Sequence, residues 1–241
     1  MLKIRAYMTV LAAKFFGGMS LLLLGVFLLL GPIWGIDLGL STVCALCFDG
    51  VLCLMFFVQH SGMVRKSFQR QFETIIPGYY HGAIYAIASG VVLLGLLLFW
   101  QPTNLTLVSA HAPLRWLLRG CYFGGILGFV WGVHSLGSFD GFGTRPITAA
   151  IHGKTLKAPP FTIRGPYRWV RHPLYAFTIV LLWSYPDLTA DRLLLNVMWT
   201  IWIFIGAHLE ERDLVSIFGE SYRAYQRQVP MLLPLRMPLR N

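Results

Sequence analysis

From Val10 to Leu30 the chain carries one charged side chain, Lys14, and every other residue there is apolar or small. A helix needs about 20 such residues to cross the hydrocarbon of a bilayer, where no water satisfies the backbone. The pattern recurs, so spans are expected at roughly 9–34, 38–58, 79–100 and 114–136, the third ending on an interfacial Trp100. Two shorter stretches, roughly 173–186 and 190–208, are split by Pro186, Asp187 and Asp191 and read as a helical hairpin with a short first arm. The first run is long and has no obvious small-residue cleavage site, so it reads as an uncleaved helix rather than a signal peptide. Hydrophobic residues make up 56% of the chain and charged residues 12%, about half the soluble-protein share. The expectation is therefore an all-α polytopic membrane helical bundle of five to six transmembrane helices, one domain over 1–241.

Charge gives the orientation. The formal net charge is +10, but the basic residues sit in short loops between spans, not on a continuous face. That excludes a nucleic-acid partner and points to the lipid bilayer and the positive-inside rule. Lys3 and Arg5 precede the first span, Arg65, Lys66 and Arg70 lie in loop 59–78, and Arg145, Lys154, Lys157, Arg164, Arg168 and Arg171 lie in loop 137–172. Arg212, Arg223, Arg227, Arg236 and Arg240 follow the last span, while loops 35–37 and 101–113 have no lysine or arginine. Both termini and every basic loop are expected on the cytoplasmic side, with only Arg192 at the opposite hairpin tip. Cys44 and Cys47 form a lone CxxC within an apolar helix, so these cysteines read as small buried hydrophobes. No histidine has companions at ligand spacing, so no metal is expected.

Two polar clusters interrupt the apolar pattern. RGPYRWVRHPLY, Arg164 to Tyr175, crowds cations, prolines and aromatics against the next apolar stretch. His172-Pro173 fits a helix start, with Leu174 and Tyr175 in its first turn, and such an N-terminus attracts a carboxylate or phosphate that Arg168 and Arg171 reinforce. An interfacial anchor to anionic lipid is the competing reading. Glu210 and Glu211 stand where the last apolar stretch leaves the membrane, a costly place for acids unless they are paired or hold a ligand. After them Leu214, Ile217, Phe218, Tyr222 and Tyr225 recur at helical spacing and read as an amphipathic lid helix.

GPYRWVRHPLY followed by EERDLVSIFGESYRAYQRQVP resembles the integral membrane methyltransferases, the superfamily of isoprenylcysteine carboxyl and phospholipid methyltransferases, over roughly 164–234. QHSGMVRKSF from Gln59, FDGFGTRP from Phe139 and EERDL with VPMLLP are similar to its methanethiol S-methyltransferase group. There the loop usually reads closer to FDLFGLRQ, a departure that bears on the acceptor rather than the reaction type. The resemblance implies S-adenosylmethionine as cofactor, held by motifs within 137–234. Its carboxylate suits Arg171, His172 and the helix start at Pro173. Its ammonium or ribose suits Glu210 or Glu211, and its adenine suits a slot built from Tyr167, Tyr175, Tyr222 or Tyr225.

The implied acceptor is a small thiol, most simply methanethiol or hydrogen sulfide, methylated in a bacterial inner membrane to a product such as dimethyl sulfide. A lipid headgroup, an isoprenylcysteine, or a non-catalytic role in binding lipid or a redox partner remain the alternatives. Because the thiolate is the nucleophile, a base near the acceptor helps. The candidates are His60, Asp140 and His134, with Arg145 as a partner for Asp140 or for thiolate charge. A helix cap for His60 and a structural pair for Asp140 are the simpler readings. Asp49, inside the second span, either lines a tunnel or bonds nearby backbone, with Lys14 or His134 as possible charge partners.

Overall fold

The computed structural model describes residues 2–137, 139–156 and 161–239. Its helices are α1 (Leu2–Leu30), α2 (Thr42–Val64), α3 (Lys66–Glu73), α4 (His81–Phe99), α5 (Ala112–Ser135), α6 (Arg145–Ile151), α7 (Pro173–Trp183), α8 (Ala190–Phe218) and α9 (Glu220–Gln228). Among the described residues five helical segments are long and apolar enough to cross a membrane: Lys3–Leu30, Thr42–Val64, Gly78–Phe99, Ala112–Ser135 and Ala190–Phe218. At 1.5 Å per residue α7 is about 16 Å long, too short to span. The fold is the expected all-α helical membrane bundle. Contacts group the chain into two compact units, one holding α1–α4 and α6, the other α5 and α7–α9.

In the first unit α1 lies against α4, and small residues allow the approach. A Cβ on Gly90 would stand 2.6 Å from the Phe16 carbonyl oxygen. Lipid is as apolar as leucine, so close packing, not expulsion from water, holds such helices together. Phe142 fills the space over Gly17, and Gly143, at φ +61°, packs backbone to backbone on Gly82. Those contacts account for the glycines of FDGFG. Asp49 is fully buried near the start of α2 and accepts the Gln101 backbone N–H at 2.9 Å. Gln101 in turn accepts from Leu38 N and donates to the Ile36 and Phe99 carbonyls. The intramembrane acid thus ties the chain end of α4 to α2, using the backbone of Gln101 rather than that of Gly50.

In the second unit α5 receives α7. Gly125, Gly128 and Gly132 leave room for Leu181, Phe177 and Leu174. A two-stranded antiparallel ribbon, β1 (Thr106–Ser109) with β2 (Asp187–Thr189), joins the start of α5 to the α7–α8 turn. Arg115 grips Asp187 with two hydrogen bonds, at 2.5 and 2.7 Å, and Arg192 and Arg119 stack over the Tyr185 ring at 4.2 and 5.4 Å. The Arg115 bonds hold the Asp187 carboxyl below its ordinary range. Two more arginines therefore join Arg192 at this end, because the sequence reading counted Arg115 and Arg119 inside a span.

Several boundaries differ from expectation. α8 runs unbroken to Phe218, so Leu214, Ile217 and Phe218 belong to it, and the amphipathic segment is confined to α9 after Gly219 at φ +58°. Trp100 is buried against Phe27, with ring centroids 5.9 Å apart, instead of lying at an interface. Cys44, Cys47 and Cys121 are exposed and only Cys53 is buried. Outward helix faces meet lipid, so apolar side chains there need no interior. Of the basic residues counted in the sequence, Lys157 and Arg240 lie outside the described residues.

Candidate active site

In the second unit the RGPYRWVRHPLY stretch folds as a 3-10 turn, Gly165–Arg168, then a short link into α7 with Pro173 at its first position. Proline lacks only an N–H that a helix start leaves unpaired anyway. The link is fixed by the C-terminal segment. Arg171 N donates to Pro230 O at 2.9 Å, His172 N to Met231 O at 3.0 Å, and Leu239 N to Arg168 O at 3.1 Å. These bonds close a distance of some sixty residues along the chain into one corner.

Glu211 is the hub of that corner. It is buried on α8, and its carboxylate accepts from Arg171 Nε at 2.5 Å, from His172 Nε2 at 3.2 Å and from Gln226 Nε2 at 2.9 Å. Arg171 Nη1 donates to the carbonyls of Gln226 and Val229. Three donors on one acid and two carbonyls on one cation make a satisfied buried pair, the only kind that apolar surroundings tolerate. Arg171 and Glu211 are therefore engaged mainly with the protein itself.

Their neighbours are not. The Glu210 side chain is 45% exposed, takes the Tyr175 hydroxyl at 2.8 Å, and lies 3.6 Å from His172 Nδ1. The His172 ring stacks on Tyr175 with centroids 5.4 Å apart. Arg168 is half-buried, and among the described residues its guanidinium enters no hydrogen bond or ion pair. Tyr222 and Tyr225 are buried with Phe161, Leu214 and Phe218 in one apolar cluster. Burial pushes the phenols of Tyr167, Tyr222 and Tyr225 up, so they stay neutral at any working pH. Tyr225 donates to the Tyr167 carbonyl. The buried Tyr222 hydroxyl lies within the influence of Glu211 and Arg171. The corner thus offers a half-exposed carboxylate held by Tyr175, a half-buried guanidinium, a buried hydroxyl and neutral aromatic faces. Those groups suit a zwitterion carrying a flat base, and all belong to the set picked out in the sequence.

The acceptor-side candidates fall in the first unit, apart from His134, which is exposed on α5. His60 on α2 meets the Tyr85 hydroxyl of α4 at 2.6 Å from Nε2 and 3.1 Å from Nδ1. Asp140 accepts the Arg145 backbone N–H at 2.7 Å and the Thr144 hydroxyl at 3.5 Å, so it caps α6, and the bond it makes to Arg145 is to backbone. The Arg145 residue is exposed. Sequence reasoning missed Tyr85, Ser89 and Gln226. The first two form an i, i+4 polar pair on an apolar helix, a visible signal; Gln226 had none. Among the described residues no group of three or more His, Cys, Asp or Glu could hold a metal.

Comparison with known proteins gives the family. No family model matches the chain, and no solved structure matches it. Methanethiol S-methyltransferase of Pseudomonas deceptionensis is 37% identical over 81% of this chain and 75% of its own length. The protein of that name from Mycobacterium tuberculosis is 34% identical over 76% of each chain. Nurim of Xenopus laevis is more distant, 25% identical over 76% of this chain and 67% of its own. On identities above 30% across three quarters of both proteins, the chain belongs to the methanethiol S-methyltransferase family.

Proposed function

We propose that this protein transfers a methyl group from S-adenosylmethionine to a small thiol, with methanethiol the first candidate, giving dimethyl sulfide, and hydrogen sulfide a second. The observation that carries the reading is that relatives at 34–37% identity are methanethiol S-methyltransferases. The groups gathered around Glu211 supply its chemistry. When bound, the cofactor provides an electrophilic methyl on a positively charged sulfur. Arg168 takes its carboxylate, and Glu210 takes its ammonium or ribose hydroxyls. Tyr175 and Tyr222 face its aromatic base, and Arg171, His172 and Glu211 hold the frame.

Even a cysteine thiol, titrating at about 8.5, is only a few per cent thiolate at neutral pH, and methanethiol is a weaker acid still. A base that takes the proton contributes about 10²–10⁴-fold, and His60 of the first unit is the residue the sequence offers for it. The charge asymmetry of the loops supports an inner-membrane protein with both termini in the cytoplasm, where the cofactor is dissolved.

A second reading has one observation in its favour. A cleft of about 390 Å3 in the second unit is lined by Trp131, Trp169, Phe177, Val180, Leu233 and other apolar side chains. It suits an acyl chain, and hence a lipid acceptor. Purified protein given labelled S-adenosylmethionine with either methanethiol or a phospholipid dispersion separates the two. Label in headspace dimethyl sulfide supports the thiol reading, label in the lipid extract supports the lipid reading, and label in neither rejects both.

A further inference from the structure

Three residues far apart in the chain close a polar ring in the second unit. Arg171 Nε donates to Glu211 Oε1 at 2.5 Å, Gln226 Nε2 donates to Glu211 Oε2 at 2.9 Å, and Arg171 Nη1 donates to the Gln226 carbonyl at 3.0 Å. The Arg171 bonds to α9 and its end reach the backbone of Gln226 and Val229, so any residue at position 226 could receive them. α9 is docked besides by Tyr222, Tyr225 and Val229, which pack with Phe161, and by the Tyr225 bond to the Tyr167 carbonyl. The side-chain amide of Gln226 is thus not needed to hold the helix, and its bond to Glu211 asks for another use.

That use follows from what the amide does to the two neighbouring acids. An ionised carboxylate only accepts, at about four lone-pair sites. Arg171 and His172 share Oε1 of Glu211 and Gln226 takes Oε2, so both oxygens are turned to the protein. Without the amide, Oε2 would lose its donor in a buried place, and a nearby cation would be the natural replacement. A ligand ammonium is such a cation. His172 stands between the two acids: Nε2 meets Glu211 at 3.2 Å and Nδ1 lies 3.6 Å from Glu210. Its ring stacks on Tyr175, whose hydroxyl donates to Glu210 at 2.8 Å. A turn of Glu211 would therefore reach the Glu210 carboxylate through His172. We propose that Gln226 is a positioning residue: its amide keeps Glu211 facing Arg171, and so leaves Glu210 as the acid that meets the ammonium of the ligand. The proposal rests on the cofactor reading above and assigns Glu210 to the ammonium rather than to the ribose. A neutral donor suits the task. Lysine or arginine would compete with Arg171 for Glu211, and glutamate would repel it.

The test is calorimetric titration of wild type, Gln226→Met, Glu210→Gln and the double variant, with thermal unfolding to check each fold. Two ligands are compared: S-adenosylhomocysteine, and methylthioadenosine, which keeps the adenosine and lacks the ammonium and carboxylate. Gln226→Met keeps the length of the side chain and removes the donor. We expect it to weaken S-adenosylhomocysteine at least fivefold and methylthioadenosine less than twofold. Gln226→Ala, which also lacks the donor, should show the same pattern. In the Glu210→Gln background Gln226→Met should cost S-adenosylhomocysteine less than twofold, since the contact it serves is already gone. A loss shared equally by both ligands would mean that the amide only steadies α9, and would overturn the proposal. So would no loss at all, or a loss undiminished in the Glu210→Gln background. Wild type that binds neither ligand would overturn the cofactor reading instead.

Discussion

Removing the Glu211 carboxylate leaves a guanidinium buried with little to balance it. The Arg171 and Glu211 side chains are 10% and 11% exposed and meet at 2.5 Å, so water screens the pair weakly. Breaking such a pair from one side costs about 3–5 kcal/mol, because the remaining charge stays desolvated. Glu211→Ala should therefore lower stability by that amount, and Arg171→Met by a similar one. Glu211→Leu with Arg171→Met removes both charges together, so its cost should fall well below the sum, with a coupling of about 2 kcal/mol or more. Thermal and denaturant unfolding in one detergent, followed by circular dichroism, measures all four corners of a cycle matched on Glu211→Leu. Additivity within about 0.5 kcal/mol would refute the argument, since independent sites add to that precision.

Further outcomes follow from other contacts. Glu210→Gln should weaken cofactor binding at least tenfold in calorimetry while leaving the unfolding midpoint unchanged, because its carboxylate is half-exposed and outside the Arg171 pair. Asp140→Ala removes the cap on α6 and should cost about 1 kcal/mol in unfolding without a selective effect on thiol turnover. Gly143→Ala places a Cβ against the Gly82 backbone at positive φ, and strain and overpacking of about 1–3 kcal/mol each should show as a lowered melting temperature. Asp187 has its pKa depressed by Arg115, so its contribution is present above the ordinary carboxyl value and is lost as pH falls through the depressed one. Water screens this exposed pair, and its contribution is read as the pH at which wild type and Asp187→Asn unfold alike.

The spans were legible because bilayer thickness fixes a run length that a sequence displays directly. That the two polar clusters would meet was legible for a different reason. Buried charges must find partners, so a cation-rich link before a helix and twin acids inside another were each incomplete alone. What the sequence did not show was the partition among them, with Glu211 turned inward to Arg171 and Glu210 left outward. Adjacent residues on a helix point about 100° apart, and which one meets the arginine depends on tertiary placement. Asp140 was ambiguous in the sequence because a capping carboxylate and a catalytic one have the same spelling. The half-buried seam of Gln59, Tyr85 and Ser89 was half visible: Tyr85 and Ser89 share one helix face, but only the helix pairing brings Gln59 to them. The cysteines were misplaced by a soluble-protein habit that treats apolar as interior, and Trp100 by the membrane habit that puts tryptophan at the interface.

The account stands or falls on whether the corner around Glu211 holds an adenosyl ligand. Calorimetric titration of the purified protein with S-adenosylhomocysteine, in wild type and Arg168→Ala, is the direct measurement. One site per chain with low-micromolar affinity, weakened at least tenfold by the arginine change at unaltered fold, is the predicted result. Heat indistinguishable from buffer dilution at millimolar ligand, or equal affinity in both proteins, would contradict it.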